Sequence, residues 1–226
     1  GVQEGIAIIE VTNTLNDDIT YVIIKVVSGE YQPTIATGYQ HSLAVKANGT
    51  LWGWGSNKYG QLGKEYEDIE KEPVAIKGPD GQQFKDIKMI SVGYHHSVAL
   101  TKEGEVYTWG YNAQGQLGNG TKTNNNIPTK VELPEKITKI ATEQYRTVAL
   151  GESGKVYVWG EKFKEIPEEL NINKKVIDIS GGYILREDKK VYAITNLKTS
   201  IVGMENIISI DSGYSNHLLA LRADGK

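Results

Sequence analysis

Cysteine is absent from the 226 residues. That excludes disulfides, thiolate metal sites and cysteine nucleophiles together, and it leaves the compartment open, since exported proteins also lack cysteine. Long apolar runs are missing too. Stretches such as Ile6 to Ile9 are only four residues long, against the roughly 20 that a spanning helix needs, so no membrane insertion is expected. Nor is there an excess of one charge. The 25 Lys and Arg against 28 Asp and Glu give −3, without the basic bias of a nucleic-acid binder. The chain opens without methionine, basic segment or apolar core of a signal peptide, and its start reads as a cut inside a longer polypeptide. Phenylalanine occurs twice and proline six times.

Glycine and tyrosine are plentiful, at 25 and 13 residues. The glycines are spread at regular places, which is how turns between many short strands read. They mark an internal repeat. Ile35-Ala36-Thr37-Gly38-Tyr39-Gln40-His41-Ser42 returns as Ile90-Ser91-Val92-Gly93-Tyr94-His95-His96-Ser97. Asn48-Gly49 then matches Glu103-Gly104, and Leu51-Trp52-Gly53-Trp54-Gly55 matches Val106-Tyr107-Thr108-Trp109-Gly110. Asn57-x-x-Gly-Gln-Leu-Gly63 matches Asn112-x-x-Gly-Gln-Leu-Gly118. A third copy runs from Ile140 through Arg146-Thr147 to Trp159-Gly160, with Glu143 in the glycine slot and no Asn-x-x-Gly-Gln-Leu-Gly tail. Fainter copies open at Ile179-Ser180-Gly181-Gly182-Tyr183 and Ile210-Asp211-Ser212-Gly213-Tyr214. The last stops at Asp224-Gly225, where the next strand is due.

Each unit alternates apolar and polar residues across a glycine turn, as in Ser97 to Thr101 and Glu105 to Trp109. With two more β-prone stretches, such as Thr129 to Leu133 and Ile137 to Ile140, the unit makes about four strands, the content of a propeller blade. One such sheet cannot bury both faces alone, but stacked blades can. Trp54, Trp109 and Trp159 recur at a strand end, where an indole fills the gap between blades.

The Gly-x-x-His-Ser segment, the Trp-Gly pair and the Asn-x-x-Gly-Gln-Leu-Gly turn, linked in that order, resemble the RCC1 repeat (regulator of chromosome condensation). The resemblance covers residues 34–226. It implies an all-β fold, a partial β-propeller of about four blades belonging to a seven-bladed ring, with the last repeat truncated. Residues 1–33 lie outside the repeat. Ile6 to Thr12 and Thr20 to Val27 read as two strands, resembling the last hairpin of a bacterial Ig-like domain followed by a linker; a strand that closes the ring is the competing reading.

No constellation points to catalysis, to a metal or to a cofactor. Adjacent residues on a strand point to opposite faces, so neither His41-Ser42 nor His96-Ser97 forms a base–nucleophile pair within itself, and His95-His96 is no metal clamp. Gly38, Gly93, Gly213, His41 and His96 read as structural, the histidines hydrogen-bonding backbone within their own blade. The slot after the repeat glycine is more informative. It holds Tyr39, Tyr94, Tyr183 and Tyr214, while Gln144 takes it in the third copy with Tyr145 following. If this slot forms one rim of the ring, Tyr39, Gln40, Tyr94, His95, Tyr145, Arg146, Tyr214 and Asn216 make a face rich in protein-interface anchors; packing of the tyrosines between blades is the alternative. The expected function is a protein-interaction scaffold with another protein as partner, in an exported or cell-surface protein. Guanine-nucleotide exchange on a small GTPase, and an enzyme using residues of further blades, are the alternatives.

Overall fold

The computed structural model describes the backbone of residues 5–12 and 19–26, and backbone and side chains of residues 34–213 and 217–225. Strands β1 (Gly5–Thr12) and β2 (Ile19–Val26) pair antiparallel, Gly5 opposite Val26 and Thr12 opposite Ile19, as a two-stranded sheet of their own. These are the two strands read from the sequence; the turn between them lies outside the described residues.

The remaining strands form five successive antiparallel sheets, each ordered as in the chain. Blade 1 is β3 (Thr34–Thr37), β4 (His41–Val45), β5 (Leu51–Asn57) and β6 (Glu67–Ala75). Blade 2 is β7 (Ile87–Val92), β8 (His96–Thr101), β9 (Val106–Gly110) and β10 (Asn125–Lys130). Blade 3 is β11 (Ile137–Glu143), β12 (Arg146–Gly151), β13 (Val156–Gly160) and the short β14 (Glu168–Glu169). Blade 4 has three strands, β15 (Val176–Ser180), β16 (Tyr183–Arg186) and β17 (Val191–Ala193). Blade 5 has two, β18 (Ile207–Ser212) and β19 (Leu218–Arg222). The chain is all-β, with no helix among the described residues. The four-strand expectation thus applies to the first three units. In blade 2 the outer strand starts and ends earlier than the stretch from Thr129 to Leu133, and Val131 follows it, still donating its N–H to the Val106 carbonyl. The hairpin glycines do what the sequence asks of them: Gly49, Gly104 and Gly154 take φ of 78°, 82° and 88°, a region costly for any residue with a Cβ.

Burial shows how the stack works. Strand β8 is buried at every position because both of its faces are covered. Val98 and Leu100 pack forward with Ile140, Ala149 and Trp159 of blade 3. Ala99 packs backward with Leu43, Val45 and Leu51 of blade 1. Strand β4 is buried only at His41, Leu43 and Val45, its forward face. Ser42 and Ala44 are half-buried, since no blade among the described residues covers that side. The period-2 alternation therefore decides which neighbour each side chain meets.

Candidate functional site

Two features stand out, a buried polar relay between blades and an aromatic face at one rim. The relay begins with His41, whose Nε2 lies 2.9 Å from Ser97 Oγ of blade 2. Ser97 Oγ in turn donates to the Gln61 carbonyl at 2.7 Å, and Trp109 Nε1 donates to the same carbonyl at 2.9 Å. One blade later the pattern repeats. His96 Nε2 lies 3.1 Å from Thr147 Oγ1, which donates to the Gln116 carbonyl at 2.9 Å, where Trp159 Nε1 also donates at 2.9 Å. Because each hydroxyl spends its proton on the carbonyl, it accepts from the histidine, so both rings carry the proton on Nε2. The accepting carbonyls are held by the turn chemistry of the Asn-x-x-Gly-Gln-Leu-Gly segment. Asn57 Oδ1 accepts from Leu62 N and Gln61 Oε1 from Tyr59 N; Asn112 and Gln116 do the same with Leu117 N and Gln114 N.

A histidine 2.9 Å from a serine has the spacing of a base and its nucleophile, yet this pair does other work. Ser97 and His96 are fully buried and His41 is 2% exposed. Burial, reinforced by neighbouring histidines, holds both imidazoles at about 3, far below the usual 6.5. Among the described residues, neither Nδ1 has a partner that would orient the ring for catalysis. The histidines reach a hydroxyl of the next blade and not the backbone of their own. The glycine three positions earlier has a matching reason. A Cβ on Gly93 would overlap the His96 ring, and one on Gly38 would overlap Val92 and the Gly93 carbonyl.

The third copy solves the same problem with charge. Arg146 occupies the histidine slot at 4% exposure. Its Nη1 donates to Glu143 at 2.7 Å and its Nε to the Glu161 carbonyl at 3.2 Å, with the guanidinium 5.1 Å from the Phe163 ring centre. Arg146 is therefore interior, correcting its assignment to the rim. Glu143 replaces glycine because no imidazole stands in the way.

The rim itself carries a continuous cluster of rings. Tyr39, Tyr94 and Tyr145 form a row across blades 1 to 3, with ring centres 5.4 and 5.2 Å apart. Tyr59 and Tyr111, 4.9 Å apart, form a second row. His95 joins the two, its ring centre 4.9 Å from Tyr59, 5.8 Å from Tyr39, 6.0 Å from Tyr111 and 6.2 Å from Tyr94, and Tyr111 also meets Tyr145 directly at 5.9 Å. Tyr39 is 62% exposed; the other rings of the cluster are half-buried. The rings thus pack against adjacent blades and still present surface. Burial and the neighbouring Tyr111, Tyr94, Glu161 and Tyr59 raise the Tyr145 phenol. Burial and, secondarily, Lys58 lower His95.

Gln40 is exposed beside this cluster, its carbonyl accepting from Ser56 N at 2.7 Å. Tyr183 is elsewhere. The blade 4 turn is only Gly181-Gly182, so Tyr183 opens β16 opposite Ser180 and packs against Leu185 and Ile210. Tyr214 and Asn216 lie outside the described residues, while Gly213 is exposed and a Cβ there would overlap His217. Trp109 and Trp159 are fully buried; Trp54, on the uncovered face of blade 1, is half-buried. Tyr59 and Tyr111 went unrecognised because they occupy different slots of the repeat. Among the described residues, no group of three or more His, Asp or Glu is placed to hold a metal.

Family comparison agrees with this architecture. The model of the "Regulator of chromosome condensation (RCC1) repeat" matches residues 48–100 and 103–150, and a second model of that repeat matches residues 34–61 and 87–116. The "Ultraviolet-B receptor UVR8" of Arabidopsis thaliana is 33% identical over 109 residues, 48% of this chain and 24% of that protein. The "E3 ubiquitin-protein ligase HERC2" of Homo sapiens is 39% identical over 120 residues, 52% of this chain and 2% of that protein. The chain thus spans a quarter or less of these relatives. Human WBSCR16 superposes with a TM-score of 0.72 at 22% identity, covering 85% of this chain and 60% of that one. Yeast RCC1 (Prp20), solved bound to Kap60, gives 0.67 at 20% identity, covering 88% and 56%. At such identities the likeness is one of fold.

Proposed function

The chain belongs to the RCC1-repeat family through residues 34–150, and from that premise we propose that it is a protein-docking scaffold whose contact surface is the tyrosine face of blades 1 to 3. The observation that carries this reading is the two-row cluster of Tyr39, Tyr94, Tyr145, Tyr59 and Tyr111 around His95. Tyrosine supplies large, rigid contact area with a polar tip, and such residues dominate the affinity of protein interfaces. A fold built to stack blades has no need of a ring as exposed as Tyr39 at its rim. Yeast RCC1 (Prp20), which shares the fold, has been solved with Kap60 bound. The reading of residues 1–33 as an Ig-like hairpin, and an exported or cell-surface setting, belong to the same proposal; upstream sequence with further Ig-like units and an export signal tests both.

A photo-crosslinking residue placed at Tyr39 or Tyr111 tests the docking surface directly. It is expected to trap a discrete partner that the same residue at Val202, 95% exposed and remote in the chain, does not trap. Tyr39→Ala combined with Tyr111→Ala is expected to weaken that complex by at least about tenfold, the loss typical of an interface anchor. Equal trapping at Val202, or guanine-nucleotide exchange that survives the double substitution, refutes the proposal.

A further inference from the structure

His95 is the hub of the aromatic face, within ring-contact distance of four tyrosines drawn from both rows. Its Nδ1 is enclosed and has no hydrogen-bond partner among the described residues. A neutral ring leaves only a lone pair there. An imidazolium puts an N–H at that same place, and a buried donor without an acceptor is costly, more so when charged. Two forces then compete. Tyrosine faces attract a cation, while enclosure and the nearby Lys58 oppose it. Lys58 stands 5.8 Å over the Tyr59 ring and repels positive charge on His95. Also around His95 are the phenols of Tyr39, Tyr59, Tyr94 and Tyr111 and the two relay histidines His41 and His96 with which it interacts electrostatically; one ring further out, Tyr145 feels the carboxylate of Glu161. The charge that acts on His95 is that of Lys58.

We propose that His95 is a proton-operated latch: neutral, it ties Tyr39 and Tyr94 to Tyr59 and Tyr111, and protonated, it swings out toward water and lets that part of the cluster open, while the Tyr111–Tyr145 contact stays. Hydration of the new N–H requires the cluster to open, and this links one proton to the shape of the whole face. The depressed basicity of His95, set first by burial and then by Lys58, agrees with this direction. The latch regulates the docking surface proposed above and rests on that reading for its biological consequence. The motion itself belongs to the free protein.

Its test is an acid titration of the whole chain with labelled histidine and tyrosine rings, followed by nuclear magnetic resonance without any partner. His95 is expected to titrate below the ordinary histidine range, and Tyr39, Tyr59, Tyr94 and Tyr111 to shift with the same midpoint. His41 and His96 stay neutral until about 3, so their signals do not overlap this step. Two variants separate charge from shape at neutral pH. His95→Lys is expected to reproduce the acid shifts of the four tyrosines, and His95→Gln to lack them at either pH. Tyrosine signals that stay still while His95 titrates overturn the latch, as does a His95 midpoint at or above the ordinary value, or a lysine variant indistinguishable from the glutamine one. Crosslinking at Tyr39 can succeed or fail whatever this titration shows, so the two ideas fall separately.

Discussion

The relay histidines make a stability prediction whose sign and size follow from burial. His41 and His96 are neutral in the fold down to about 3 but take up a proton near 6.5 once the chain unfolds. Their folded pKa is depressed, so as pH falls through 6.5 the unfolded chain binds protons that the folded chain refuses. Stability is then full above that value, declines down to about 3, and levels off below. Between about pH 7.5 and about pH 5 the linkage amounts to about 2 kcal/mol for each histidine. His96→Gln, which keeps a side-chain donor for Thr147 Oγ1 but cannot titrate, is expected to cost stability at neutral pH. It is also expected to remove about 2 kcal/mol of the acid sensitivity. Urea denaturation of the wild type and of the variant, each at both pH values, measures this difference of differences, and the contributions of carboxylates common to both chains cancel. Equal acid sensitivity in the two proteins refutes the reasoning and places the proton on His96 in the native state.

Ser97→Ala removes both the acceptor for His41 Nε2 and one donor to the Gln61 carbonyl. It is expected to lower stability by about 1–3 kcal/mol, read as a lower urea midpoint with unchanged slope. Gly93→Ala drives a methyl into the His96 ring and is expected to destabilise. The double variant with His96→Ala is expected to be less damaged than the two single losses added together, a coupling that chemical denaturation detects. Glu143→Ala strands the buried Arg146 guanidinium and is expected to cost about 3 kcal/mol, visible as a lower thermal midpoint, with Glu143→Gln costing less.

The blade architecture was legible because a blade is a local object. Period-2 alternation, a turn glycine and a terminal tryptophan all fall within a few tens of residues, and their recurrence names the stack. What the repeat hides is direction. Ser97 and His96 are neighbours in sequence, yet alternation sends Ser97 to blade 1 and His96 to blade 3, so each histidine finds a hydroxyl 51 or 56 positions away. Alignment of the copies does place Arg146 in the histidine slot, but arginine is also an interface-anchor type, and only its burial and its carboxylate partner Glu143 separate it from the rim. Tyr183 shows the opposite fault. It follows a glycine as Tyr94 does, but the two-residue turn of blade 4 moves it into a strand. The tyrosine rim was half visible. Tyr39, Tyr94 and Tyr145 recur near one slot, whereas Tyr59 and Tyr111 meet them only because the outer turn folds over the inner one.

The relay gives the first two joints a plug and a socket. Blade 1 offers a histidine and a glutamine carbonyl on its forward side, and blade 2 answers with a serine and a tryptophan on its backward side. Blade 2 offers the same socket to Thr147 and Trp159. A chain spliced to bring blade 1 directly against blade 3 would therefore still find a fitting connector, His41 meeting Thr147 and the Gln61 carbonyl meeting Trp159. Blade 3 has arginine in place of the histidine and no glutamine turn, and blade 4 meets it through apolar side chains such as Ile179 and Ile184 and the Lys139–Asp178 ion pair. The first two joints thus share one connector, whereas the joint between blades 3 and 4 is cut to fit one neighbour.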